Sequence, residues 1–200
     1  MTKERLEAFS DGVIAILITI MVLELKIPHG GSPEALYGVL PAFLRYVLSF
    51  VYLGIYWVNH HHLLRMTSRV NGKILWANLH LLFWLSLVPA ATAWVGENPH
   101  ESLPTAVYGM VLLGPAIAYY ILQSLIIAEE GPDSRLASAI GRDKKGKISP
   151  LLYASAIGLS FVQPWMADVI YVLVAAIWLV PDSRLESHLA SHPHHHPGAE

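Results

Sequence analysis

The chain has no cysteine among its 200 residues. This excludes a disulfide framework and a thiolate metal site, and it removes redox usage as a guide to compartment. Charge is scarce as well: 14% of residues are Asp, Glu, Lys or Arg, against 54% that are hydrophobic. Soluble globular domains carry about 25% charged residues, so the composition describes an integral membrane protein. The formal net charge of −2 says little until the charges are placed along the chain. The basic residues are spread among polar connectors and do not cluster on one face, so no nucleic-acid partner is expected.

What is present is a series of long apolar runs. Span one is expected from about Leu6 to Ile27, span two from about Leu36 to Asn59, span three from Ile74 to about Val95 and span four from about Leu103 to Ala128. At 1.5 Å per residue each can cross roughly 30 Å of hydrocarbon. Pro115 predicts a kink in span four. His60 to Lys73 and Glu129 to Lys147 read as polar connectors. Two shorter runs follow, Ile148 to Val162 and Trp165 to Val180, separated by Gln163-Pro164. They suit two short tilted spans or a re-entrant hairpin; two spans, making six, is the preferred reading.

The charge distribution then orients the chain. With the N-terminus inside, Lys3, Arg5, Arg65, Arg69, Lys73, Arg135, Arg142, Lys144, Lys145, Lys147 and Arg184 fall at the inner edge, leaving only Lys26 and Arg45 outside. By the positive-inside rule both termini are cytoplasmic. Arg45 is expected to snorkel to the surface. The apolar run after the N-terminal polar segment ends at Glu24-Leu-Lys-Ile-Pro28 without an A-x-A-like site, so the first helix is read as retained and not as a signal peptide. Residues 1–181 thus form one all-α polytopic membrane domain. Residues 182–200 form a polar tail that includes His192-Pro-His-His-His196, expected to be disordered with fortuitous histidines; weak metal or proton sensing is the alternative, disfavoured because proline breaks the spacing a rigid site would need.

The first span is the most informative stretch. Gly12, Ile16, Ile20, Leu23 and Ile27 fall on one helical face, with Thr19 at its edge. Its polar entry carries Arg5, Phe9, Ser10 and Asp11. Arg5 and Asp11 are about 240° apart around a helix, so they must find partners on other helices. Ionisable groups at a membrane edge are costly unless paired. Arg5-x-x-x-Phe9-Ser10-Asp11 followed by an Ile-rich span resembles the signature of the transmembrane protein 175 family of potassium channels, in its single-repeat prokaryotic form. Tyr56-Trp57-Val58-Asn59-His60-His61-His62 and Asn78 to Pro89 also resemble that family's pattern.

The resemblance implies a homotetramer that passes potassium ions through a central pore lined by span one. Ile16, Ile20 and Leu23 match the family's apolar constriction, and Thr19 matches a position where a hydroxyl layer sits in the pore. It further implies a lipid bilayer as surroundings, with a bacterial cell membrane expected from the single-repeat form. Arg5, Phe9, Ser10 and Asp11 are then a structural motif, with Trp57, Asn59, His60, His61, Asn78 and His80 as its partners near the cytoplasmic interface. Four branched side chains at one level block ions by dewetting, and without a row of backbone carbonyls the preference for potassium over sodium is expected to be modest.

Other classes fit less well. Three consecutive histidines on a helix point in three directions, and no H-E-x-x-H spacing occurs, so neither a metal site built from His60, His61, His62 and His80 with Asp11 nor an enzyme is expected, and no cofactor is called for. Ser, His and Asp are not arranged for nucleophilic catalysis. Thr105-Ala-Val-Tyr-Gly109 lacks the middle glycine and the pore helix of a carbonyl filter. A proton-coupled secondary transporter using Asp11 and nearby histidines is the alternative function; the absence of an inverted repeat and the expected absence of a discontinuous helix at mid-membrane speak against it. A proton-sensitive gate at the same residues is the functional alternative to a purely structural motif.

Overall fold

In the computed structural model, the residues described are 2–28, 30–131, 133–140 and 144–179. Helix α1 spans Lys3–Ile20 and tightens into a 3-10 turn at Met21–Glu24. It starts where Thr2 caps it: the threonine hydroxyl accepts from the Arg5 amide, and Glu4 in the first turn complements the helix dipole. Helix α2, Pro33–Arg65, has the same kind of start, with Ser32 accepting from the Ala35 amide and Pro33 in the first turn. At 33 residues it is roughly 50 Å long, well beyond the hydrocarbon thickness. The segment His60–Arg65, expected as connector, is therefore the last turn and a half of α2. No proline or glycine occurs there to end it.

Asn71 caps α3, Gly72–Ser86, by accepting from the Ile74 amide. The third apolar run then breaks at Leu87 and resumes as α4, Val88–Glu97, so this span is discontinuous where no interrupted helix was expected. Pro89 explains the break, because it has no N–H to donate and its ring crowds the carbonyl four residues back, that of Leu85. Helix α5, Ser102–Glu130, continues unbroken through Pro115 and ends at Gly131, whose φ of +96° favours glycine. The connector expected as a loop contains a short helix, α6, Arg135–Ile140, and the start of α7, Lys144–Ser160. A tight turn leads to α8, Pro164–Leu179.

The architecture is all-helical, with α5 at its centre against α3, α4, α7 and α8, and α1 resting on α2 and α3. Two glycines let α5 take that place. A methyl group on Gly109 would stand 2.1 Å from the Tyr171 hydroxyl, and one on Gly114 would stand 2.2 Å from the Trp84 ring. Among the described residues, four segments are long and apolar enough to cross a membrane: Lys3–Glu24, Pro33–Arg65, Gly72–Glu97 and Ser102–Glu130. Helices α7 and α8, with 17 and 16 residues, form a shorter antiparallel pair.

Arg45 departs from expectation. It is 8% exposed, and its guanidinium pairs with Asp168 of α8 and lies 5.9 Å from the centre of the Tyr108 ring. It does not snorkel, because a carboxylate and an aromatic face are available inside the bundle. Ser49 bonds Tyr108 at 2.8 Å and accepts from Thr92 at 2.7 Å, extending the polar cluster to α4. The domain boundary expected at 181 and the histidine-rich tail lie outside the described residues.

Candidate functional site

Helix α1 has two faces of opposite character. Leu6, Ser10, Ile14, Leu17 and Met21, at steps of four, four, three and four, are at most 6% exposed and pack into the bundle. On the other side Ile16 is 60% exposed, Ile20 38% and Leu23, in the 3-10 turn, 79%; Ile27, expected on the same seam, lies beyond the helix, because the chain turns extended at Leu25. Phe9, Gly12, Thr19 and Arg5 share this outer face. Phe9, Gly12, Ile16, Thr19 and Leu23 recur at steps of three and four, the period that lets a helix meet like helices along a seam. The Thr19 hydroxyl donates to the Ile16 carbonyl at 2.8 Å, which satisfies its proton and leaves its oxygen free to accept.

The polar entry anchors the buried face. Ser10 donates to the Leu6 carbonyl at 2.9 Å and accepts from the Asn78 amide at 2.9 Å. Because Ser10 spends its only proton on the backbone, the Asn78 NH2 must face it. The Asn78 carbonyl oxygen is thereby left for His60, at 2.7 Å from Nε2, so His60 carries its donated proton on Nε2. All three residues are 0% exposed. The chain His60–Asn78–Ser10 thus ties α2 to α3 and α3 to α1 in the interior. Here a missing partner would leave a desolvated polar group.

A second set of contacts lies further out. Trp57 Nε1 donates to Asp11 Oδ1 at 3.1 Å, and His61 Nδ1 lies 3.2 Å from Glu7 Oε1. The Trp57 and His61 rings stack at 6.4 Å. Other expected partners look elsewhere. The Asn59 side chain donates to the Ile55 carbonyl of its own helix, while its backbone carbonyl accepts from Tyr119 of α5. His80 accepts from Trp84 Nε1 at 2.9 Å on the outer side of α3. Phe9 is 48% exposed, so this motif residue belongs with the outer seam. Glu7 and Asp168 carry contacts that sequence reasoning did not anticipate. A signal existed for Asp168: it is the one acid in the last apolar run, as Arg45 is the one base in the second, and lone opposite charges in two apolar helices call for each other.

With this geometry in place, comparison with known proteins is decisive. Residues 5–89 match the family described as "Endosomal/lysosomal potassium channel TMEM175". A potassium channel of Chryseobacterium sp. (strain P1-3) is 56% identical over 189 residues, covering 94% of this chain and 98% of its own. The chain belongs to the TMEM175 family. Its fold is similar to the crystal structure of a lysosomal potassium-selective channel TMEM175 homolog from Chamaesiphon minutus, with a TM-score of 0.80 and 29% identity over 89% of this chain and 96% of that one. The Homo sapiens endosomal/lysosomal proton channel TMEM175 is 32% identical over 118 residues, 52% of this chain and 23% of that protein. These TMEM175 relatives are ion channels, not enzymes.

Proposed function

We propose that the protein is a potassium-permeable channel in which four copies of the chain surround a common axis and α1 lines the pore. The observation that carries this reading is the outward turn of Ile16, Ile20 and Leu23 on a helix whose opposite face is sealed by the bundle. One seam on one chain encloses nothing, so several copies must converge for it to bound a path. In that assembly Ile16, Ile20 and Leu23 form stacked apolar rings that stop ions by dewetting until they dilate, and Thr19 supplies hydroxyl oxygens between them. The His60–Asn78–Ser10 chain and the Trp57–Asp11 bond hold α1 in register against α2 and α3, which sets how far the seam projects.

The four long segments with α7 and α8 as two short tilted spans give six crossings. The Lys and Arg distribution supports cytoplasmic termini, and the bacterial relatives support a bacterial cell membrane. Names of relatives, "potassium channel" among bacterial ones and "proton channel" among vertebrate ones, define the ions to test. Purified protein in planar bilayers is expected to give unitary currents that reverse near the potassium equilibrium potential. Ile16→Ser is expected to wet the ring and lower the preference for potassium over sodium. Absence of unitary currents together with proton-driven solute uptake would favour a transporter, and an Ile16→Ser channel with unchanged selectivity would remove Ile16 from the constriction.

A further inference from the structure

Glu7 and Asp11 stand one turn apart on α1, so their carboxylates share a face. That face meets the end of α2, where His61 approaches. One ligand atom from each of Glu7, Asp11 and His61 lies within 4.8 Å of the other two. The His61–Glu7 approach, 3.2 Å from Nδ1 to Oε1, has an ion-pair distance without hydrogen-bond geometry. His61 Nδ1 is shielded from solvent and has no hydrogen-bond partner among the described residues. Surrounding contacts hold two of the three groups. Trp57 donates to Asp11 Oδ1 and stacks on the His61 ring, an orienting shell of the kind that metal ligands have.

We infer that Glu7, Asp11 and His61 form a binding site for a divalent transition-metal ion of the zinc class, which clips the start of α1 to the end of α2. The donor set selects the ion. An imidazole nitrogen with two carboxylates suits zinc, cobalt or nickel, whereas magnesium and calcium take oxygen-only sets. Bond lengths of about 2.0–2.2 Å in a tetrahedron put neighbouring ligand atoms roughly 3.4 Å apart. The His61–Glu7 separation of 3.2 Å is close to that length, and all three ligand atoms lie within 4.8 Å of one another. Three protein ligands leave a fourth position for water. The cluster lies near the surface, with the Glu7 and His61 side chains 23% and 36% exposed. The buried His60–Asn78–Ser10 chain lies beside this site and supplies none of its three ligand atoms, because His60 Nε2 bonds Asn78 in the interior.

The site does not depend on the channel reading, and its test reads binding alone. Full-length protein in detergent, freed of metal by chelator, is titrated with zinc chloride in a calorimeter alongside Glu7→Gln and His61→Ala. The tail histidines contribute equally to all three. Wild type is expected to bind one zinc ion per chain more than either variant, or to bind it at least about tenfold more tightly. Zinc is also expected to raise the unfolding temperature of wild type more than that of the variants. Equal stoichiometry, affinity and zinc-induced shift in all three would overturn the proposal. A variant-free measurement guards against misfolding: zinc is expected to protect His61, but not His80, of wild type from diethylpyrocarbonate as read by peptide mass spectrometry. Equal modification of His61 with and without zinc would also overturn it.

Discussion

Asn78 is the residue on which the interior of the first three helices turns. It joins a donor to Ser10 with an acceptor for His60, and both neighbours are fully buried. Asn78→Leu keeps the volume but leaves the Ser10 oxygen and the His60 N–H without partners, each costing about 1–3 kcal/mol. A clear fall in the thermal unfolding midpoint of detergent-solubilised protein is the expected result; Asn59→Leu should do less, because that amide only caps a carbonyl of its own helix. An equal loss from the two would mean that the chain through Asn78 is not the stronger tie. The spacing of the Phe9-Ser10-Asp11 signature made Ser10 and Asp11 visible in the sequence. It did not reveal that Ser10 points inward and Phe9 outward, because adjacent residues diverge by about 100° on a helix and the direction of the bundle is a tertiary fact.

Among the helices, α2 and α8 are joined by an ion pair, Arg45 with Asp168, beside a buried hydrogen bond from the Tyr52 hydroxyl to the Tyr171 carbonyl. Arg45 is nearly sealed by protein, and Asp168 is half-buried beside it, so deleting one charge strands the other. Arg45→Met alone is expected to cost about 1–3 kcal/mol, since the stranded Asp168 side chain keeps 28% exposure, while Arg45→Met with Asp168→Leu should recover most of that loss. Unfolding of the two variants in parallel with wild type checks this, and a double variant no better than the single would place the effect in Arg45 packing on Tyr108. Close approach of helices offers a second check. Gly114→Ala drives a methyl group into the Trp84 ring and is expected to lower stability by about 1–3 kcal/mol, as overpacking does. The ends of the elements were less legible than their existence: α2 carries on through His60–Arg65 because polar residues at a membrane edge continue a helix as readily as they leave it. Hydropathy marks where lipid ends, not where backbone hydrogen bonding ends.

At the scale of the assembly, the absence of cysteine makes a direct test simple, since a single introduced thiol has no competitor. If α1 lines a shared axis, Ile16→Cys should cross-link between copies under mild oxidation. Leu151→Cys, on α7 and 69% exposed, should not. The reverse pattern, read on a denaturing gel, would turn the α1 seam toward lipid. Apolar periodicity, the scarcity of charge within the apolar runs and the entry motif determined, from the sequence alone, a helical membrane chain with a distinctive first helix, because these depend only on local order along one helix. Which of the two apolar faces of that helix the bundle would cover was left to the tertiary structure. So was the pairing of Arg45 with Asp168 and the meeting of Glu7, Asp11 and His61. Each depends on contacts between residues distant in the chain, and only the packing of whole helices brings those together.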